Sequence, residues 1–189
     1  MEMIPPHILL GAYAEGVFPM AEDGELMWFS PMSRGLIPLD ERFHISRGLR
    51  KALRKEAFEI RHNTAFREVM DGCSEREETW IDPVIKDSYV ELHQLGFGHS
   101  FECWDSEGLQ GGLYGIKLGN VFFGESMFSR KTDASKIALV HLVEWLRDEE
   151  AVLLDTQWMT EHLLQFGGYE VPREVYLALL VDALESILD

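Results

Sequence analysis

The chain has 189 residues, 46% of them apolar, with 33 acidic against 17 basic side chains and a formal net charge of -16. That length and composition describe a folded unit with one sizeable core and room for a small accessory part, and they exclude a disordered chain. No apolar run reaches membrane-spanning length, and so much negative charge repels polyanions except where a local basic patch intervenes.

The N-terminal stretch MEMIPPHILLGAYAEGVF has no basic region ahead of its apolar one, which speaks against a signal peptide and for a cytoplasmic protein. From residue 29 to 44, FSPMSRGLIPLDERFH reads as turns and extended chain, and a boundary is placed near Asp40, separating a small N-terminal domain (1–40) from a larger one (41–189). Next comes ISRGLRKALRKEAF. Ser46 fits a helix N-cap, and Arg47, Arg50, Lys51 and Arg54 follow at helical spacing, with five of the 17 basic residues between positions 47 and 55. A run of charge is ordinarily a solvated helix face; in a chain this acidic, the concentration points to a footprint for an anion or a nucleic acid.

FEIRH (58–62) suggests a strand and AFREVMDGC (65–73) a short helix. PVIKDSYVELHQL (83–95) carries apolar side chains at helical spacing and stops at Gly96. The period then changes to two: HSFECWD, LQGGLYGIKL and NVFFGE read as antiparallel strands with a turn at Gly119-Asn120. A strongly apolar helix follows over Ala134–Leu146, capped by Thr132 or Asp133. AVLLD (151–155) has the length of a buried strand, and Pro172 introduces a last helix over 174–188. A hairpin before a central helix and a lone strand after it predict a mixed α/β sheet flanked by helices.

Two positions carry possible chemistry. Asp155 and Gln157 end a buried strand, where open α/β sheets hold ligands, and Glu125 sits among small residues at the end of another. A strand-end Asp often only caps a turn, and a buried Glu can be structural. His99, His141 and His162 read as core or surface residues, and Cys73 and Cys103 lack both zinc-ligand spacing and a nucleophile motif, so no metal site is predicted. GLQGGLYG lies among strands and opens no helix, so neither a phosphate loop nor a dinucleotide motif is present and no cofactor is predicted.

YAEGVFPM, WFSP, FHISRGLRKALRK, TWI, HSFECW, GGLYGIKLGNVFFGESMFS, DASKIAL, LLDTQ, HLLQFGG and YLALL occur in the order found in bacterial leucyl/phenylalanyl-tRNA-protein transferases, over residues 9 to 180. The chain resembles that family. The resemblance implies a large domain like the GCN5-related acetyltransferases and a small N-terminal one. It implies transfer of Leu, Phe or Met from a charged tRNA to proteins beginning with Arg or Lys, marking them for degradation, by a monomer without a cofactor. It also implies that Asp155 and Gln157 are the catalytic pair with Glu125 in the same site, that Trp80 contacts the terminal adenosine, and that Arg47, Arg50 and Arg54 hold the tRNA stem.

The chain departs from the family's pattern in three places. Met20 stands where an aromatic is usual, which weakens stacking there and leaves Trp80 more of the grip. Thr156 replaces a cysteine, so no thiol nucleophile is needed at that position. A stretch usual upstream of the tyrosine motif is missing, so a trimmed accessory domain is expected.

An aminoacyl ester is already activated, and an α-amine with a pKa of about 7.7–8 is partly neutral at pH 7, so positioning matters more than strong base catalysis. On this reading Gln157 positions the amine, and Glu125 with Asp155 forms a negative cleft for the acceptor. Phe122, Met127 and Phe128 form an apolar pocket for the donor side chain. The same chemistry on acidic N-termini, a binding module without transfer, and an acyl-CoA N-acetyltransferase are the competing readings; the last lacks its glycine-rich turn, because GESMFSRKTDAS stands there.

Overall fold

The computed structural model describes residues 3–75 and 79–185. The chain opens with α1 (Pro6–Ala14) and a hairpin of β1 (Phe18–Glu22) and β2 (Glu25–Phe29). Asp23 and Gly24, with φ of +50° and +79°, make the tight turn whose twist suits two antiparallel strands. Then follow β3 (Ser33–Ile37), α2 (Arg47–Arg54), β4 (Glu59–His62), α3 (Phe66–Ser74), α4 (Pro83–Gln94), β5 (Gly98–Asp105), β6 (Gly108–Leu118) and β7 (Val121–Ser129). The chain continues through α5 (Ala134–Asp148), β8 (Leu153–Gln157), α6 (Glu161–Leu164), β9 (Tyr169–Pro172) and α7 (Arg173–Glu185).

Seven strands form one sheet in the order β4-β5-β6-β7-β8-β3-β9. Every pairing is antiparallel except β7 with β8, which run parallel with α5 as their crossover. The mixed sheet, its hairpin ending at Gly119-Asn120 and the lone strand after the central helix agree with the sequence reading. The boundary at Asp40 does not match the sheets: β3 belongs to the large sheet, and the small one ends at Phe29. A short strand between two prolines reads locally as irregular chain, and only its neighbours β8 and β9, made much later, turn it into sheet.

Local chemistry explains the helix ends. Ser46 accepts from the Leu49 amide at 3.2 Å at the start of α2, and Asp82 accepts from the Ile85 amide at 2.8 Å ahead of Pro83. The cap of α5 differs from the expected one. Asp133 holds the cap position with φ of +66° and no side-chain bond, and Ser129 Oγ, reaching over from β7, accepts from the Ser135 amide at 2.8 Å. Residues 186–188 of the predicted last helix lie outside the described residues.

Two cores sandwich the sheet. One packs α1, α3, α4 and α7 around Tyr13, Val69, Tyr89, Phe123 and Tyr176; the other packs α2 and α5 around Leu49, Phe101, Phe122, Val143 and Leu146. Among the described residues no helix is long and apolar enough to cross a membrane. Glu102 on β5 shows what a structural acid looks like here. Fully buried, it accepts from the Thr64 and Ala65 amides at 2.9 Å, from Ser100 Oγ at 2.7 Å, from Thr64 Oγ1 and from Trp104 Nε1, and so anchors the start of α3.

Candidate active site

Two bulges build the site. Along β6 and β7, Gly115 faces Gly124 and Tyr114 faces Ser126, which leaves Glu125 as the extra residue. Along β3 and β8, Gly35 faces Gln157 and Leu36 faces Asp155, which leaves Thr156 as the extra one. A bulge re-aims side chains and bends its strand. The parallel β7–β8 ladder runs to Phe123 and Asp155, and Glu125 and Gln157 each come two residues further on. There Gln157, with φ of +65°, donates from Nε2 to Glu125 Oε2 at 3.2 Å. The left-handed backbone at a non-glycine residue costs energy that its surroundings must offset. Part of that support is the Asp155 carboxylate, which accepts from the Gln157 amide at 2.8 Å.

Asp155 itself lies behind this layer. It is fully buried, and Arg34 grips it with a two-pronged bond, Nε to Oδ1 at 2.9 Å and Nη2 to Oδ2 at 2.6 Å, while Tyr176 Oη donates to Oδ2 at 2.7 Å. The guanidinium is held between the rings of Phe18 and Tyr176, at 4.8 and 4.3 Å from their centres, and donates to the Gly16 carbonyl at 2.9 Å. The expected negative cleft shared by Glu125 and Asp155 is therefore absent: Asp155 is neutralised by Arg34 and does not line the pocket. Its carboxylate's hydrogen-bonded link to the pocket residues is the bond it accepts from the Gln157 backbone amide.

Glu125 is different. Tyr13 Oη donates to it from α1, and Tyr13 in turn is bonded to Tyr89 on α4. It lies on the wall of a pocket of about 260 Å³ as the only charged side chain that lines it among the described residues. Burial pushes its carboxyl up to about 7, with nearby Asp155 adding to the rise, against the opposing bonds from Tyr13 and Gln157 and the charge of Arg34. Because the folded state holds that proton more tightly than the unfolded chain, stability falls as pH rises from about 4.5 to about 7 and is level above. Titrating urea denaturation against pH should show this loss, about 3 kcal/mol at most, and Glu125→Gln should remove it.

The pocket is lined by apolar side chains of the sheet, α5 and α6: Leu113, Met127, Leu139, Leu142, Leu154 and Leu163. Its size suits one amino-acid side chain, below the ~300–1,000 Å³ usual for larger ligands. Met20, Trp80 and Trp158 also line it, and β1 is tied to this wall by the Ala21 amide, which donates to the Trp80 carbonyl at 3.1 Å. The structure thus brings together Glu125, Gln157, Met127, Trp80 and Met20, and leaves out two residues expected in the pocket. Phe122 is fully buried in the α5 core against Trp145. Phe128 faces the other side of the sheet, where its ring packs over Gly72, and lines a separate hollow with Glu75 and Arg130. The bulge is the reason. One extra residue at Glu125 reverses the alternation along β7, so Met127 shares a face with Phe122, and Phe128 with Phe123.

Arg47, Arg50, Lys51 and Arg54 are all exposed on α2, and among the described residues none of the four makes an ion pair. Leu49, on the buried side of α2, joins the core that also holds Leu163 of the pocket wall. Arg34, Tyr13, Tyr89 and Tyr176 were not found from sequence. Each is an ordinary core or surface residue by local pattern, and only contacts between distant parts of the chain give it a role.

An apolar side-chain pocket ending in a buried amide and carboxylate suits transfer of an already activated acyl group. The chain is an aminoacyltransferase. Residues 36–181 match the family model for leucyl/phenylalanyl-tRNA protein transferase, and residues 2–32 match the model for the N-terminal domain of the same proteins. It is 57% identical to the leucyl/phenylalanyl-tRNA–protein transferase of Akkermansia muciniphila, covering 98% of each chain. It is 52% identical to that of Herpetosiphon aurantiacus, over 96% of this chain and 95% of the relative, and 53% identical to that of Paramagnetospirillum magneticum, over 97% and 91%. The chain belongs to the leucyl/phenylalanyl-tRNA protein transferase family. Among solved structures, L-PGS from Bacillus licheniformis aligns over 80% of this chain and 64% of its own with a TM-score of 0.48 and 13% identity, too distant to bear on function.

Proposed function

We propose that this enzyme moves Leu, Phe or Met from charged tRNA to the α-amine of cytoplasmic proteins beginning with Arg or Lys, creating an N-terminal degradation signal. The observation that carries the mechanism is the bond from Gln157 Nε2 to Glu125. With its NH₂ group committed to the carboxylate, the amide turns its oxygen the other way, as an acceptor for an N–H of the attacking amine. The donor side chain enters among the pocket leucines, and the terminal adenosine stacks at the rim with Trp80 and Met20.

The amine nitrogen then forms its bond to the ester carbonyl carbon, and the bond from that carbon to the ribose oxygen breaks. The amine must lose a proton and the ribose oxygen must gain one. Ionised Glu125 receives the amine's proton and, as the acid it then becomes, returns one to the leaving ribose oxygen; with a carboxyl brought near 7 it is matched to an amine of about 8. The same carboxylate, the one charged group on the pocket wall among the described residues, favours an acceptor that brings positive charge.

Label from Leu-tRNA or Phe-tRNA should therefore appear on peptides starting with Arg and Lys and not on those starting with Asp, Glu or Ala. Label on the acidic peptides would keep the chemistry and reverse the acceptor assignment; tRNA binding with no label on any peptide would leave only a binding module.

The basic face of α2 is proposed to hold the tRNA through its phosphates. Arg50→Ala combined with Arg54→Ala should raise KM for charged tRNA and lower the slope of log affinity against log salt by about 1.5, since each neutralised phosphate contributes about 0.7–0.9. The melting temperature and kcat should stay near those of the parent. An unchanged salt slope would assign these residues to ordinary solvation.

A further inference from the structure

Tyr13 on α1 and Tyr89 on α4 are 76 residues apart, fully buried, and meet edge-on with ring centres 6.5 Å apart. Their hydroxyls bond each other, and Tyr13 Oη donates to Glu125 Oε1. A phenol has one proton to give. Because Tyr13 gives its own to the carboxylate, Tyr89 is the donor to Tyr13. Neither tyrosine lines the pocket, so both act on Glu125 without touching substrate.

We propose that Tyr13 and Tyr89 are positioning residues that form a hydrogen-bond chain setting the protonation state of Glu125, so that helix α1 fixes the pH at which the enzyme works. The inference rests on the reading of ionised Glu125 as the working form.

The groups facing Glu125 come from four elements: Gln157 and Asp155 on β8, Arg34 on β3, Tyr13 on α1 and Tyr89 on α4. Asp155 and Arg34 largely cancel as a bonded pair. Burial and Asp155 favour the neutral acid; the donors Tyr13 and Gln157, with the charge of Arg34, favour the carboxylate. Without the Tyr13 donor the group would stay protonated through neutrality. Both hydroxyls remain donors throughout, because burial, with Glu125 beside them, holds them well above the ordinary phenol range. By donating to Tyr13, Tyr89 polarises its O–H and strengthens the bond to the carboxylate.

The test is the pH profile of kcat/KM for transfer to an Arg peptide. In the parent enzyme both Glu125 and the amine must lose a proton, so the logarithmic plot should rise with slope two below about pH 7 and slope one from there to about 8. Tyr13→Phe should move the lower break up by about one to two pH units, giving a roughly five- to fiftyfold loss at pH 7 that shrinks as pH rises. Tyr89→Phe, which leaves Tyr13 in place and so guards against a folding defect, should move the break the same way by less. Glu125→Gln should remove the break and leave slope one. An equal loss at every pH in Tyr13→Phe, with the break unmoved, would make the tyrosines mere packing and overturn the proposal. Slope two persisting in Glu125→Gln would place the titration on another group and overturn the reading of Glu125 itself.

Discussion

Replacing Arg34 with Met should destabilise the fold by about 3–5 kcal/mol, because it leaves a buried carboxylate without its counter-charge. Arg34 is 1% exposed and Asp155 0%, so no water takes over the lost bonds. What remains on Asp155 is the Tyr176 hydroxyl and the Gln157 amide, both neutral donors. The substitution also empties the space between the Phe18 and Tyr176 rings and releases the Gly16 carbonyl. Urea midpoints give the cost. The double variant Arg34→Met with Asp155→Leu should recover much of the stability, since a buried ion pair is often replaceable by apolar groups of similar volume. It should not recover transfer, because the Gln157 amide has then lost its anchor. A single variant within about 1 kcal/mol of the parent, as exposed pairs are, would show that water reaches Asp155 and that the pair does not brace the site.

Gln157→Ala should lower kcat by about 10²–10³, the range seen when one fixed polar group at a reacting centre is removed. KM for charged tRNA should hardly move, because the pocket leucines and the α2 face are untouched. The variant also frees Glu125 of one of its donors, so its carboxyl should titrate higher. Gln157→Glu is the sharper comparison. It keeps the size of the side chain but sets a second carboxylate against Glu125, where the amide nitrogen now lies at 3.2 Å. The two acids would share a proton, and activity should return only at higher pH than in the parent. Single-turnover transfer with Phe-tRNA measures both. More than a third of parental kcat in Gln157→Ala would remove the amide from the chemistry.

Much of this molecule was legible before its structure. Helices α2, α4 and α5 carry their own start signals or apolar period, and β5 to β7 announce themselves by alternation and by the Gly119-Asn120 turn. Glu125 and Gln157 stood out because a polar residue at the end of an apolar strand has to be satisfied or used. What could not be read locally is of two kinds. The first is pairing across the chain. Nothing near Arg34 marks it as the partner of an acid 121 residues away, and Tyr13 meets Glu125 across 112. The second is phase. Strand alternation is a reliable guide only while the ladder is regular, and the single extra residue at Glu125 sends Phe128 to the opposite face. Met127 does line the apolar pocket, yet the pocket's leucines come from β6, α5, β8 and α6, where nothing in the local pattern sets them apart from plain core.

The position of β3 bears on how the protein is made. It is the first strand of the large sheet to leave the ribosome, yet its neighbours β8 and β9 end at Gln157 and Pro172. For most of synthesis residues 33–37 have no strand to join, and Arg34 waits in water for an acid not yet translated. Closing pairs so far apart in the chain is slow, since the long loop must be ordered before its contacts form. The last section to close is therefore the β8-β3-β9 side of the sheet, the part that anchors Gln157, and a nascent chain stalled before residue 155 would hold the pocket leucines of α5 without the strand that carries Gln157. Catalytic competence should arrive late and all at once, when the C-terminal strand and helix dock.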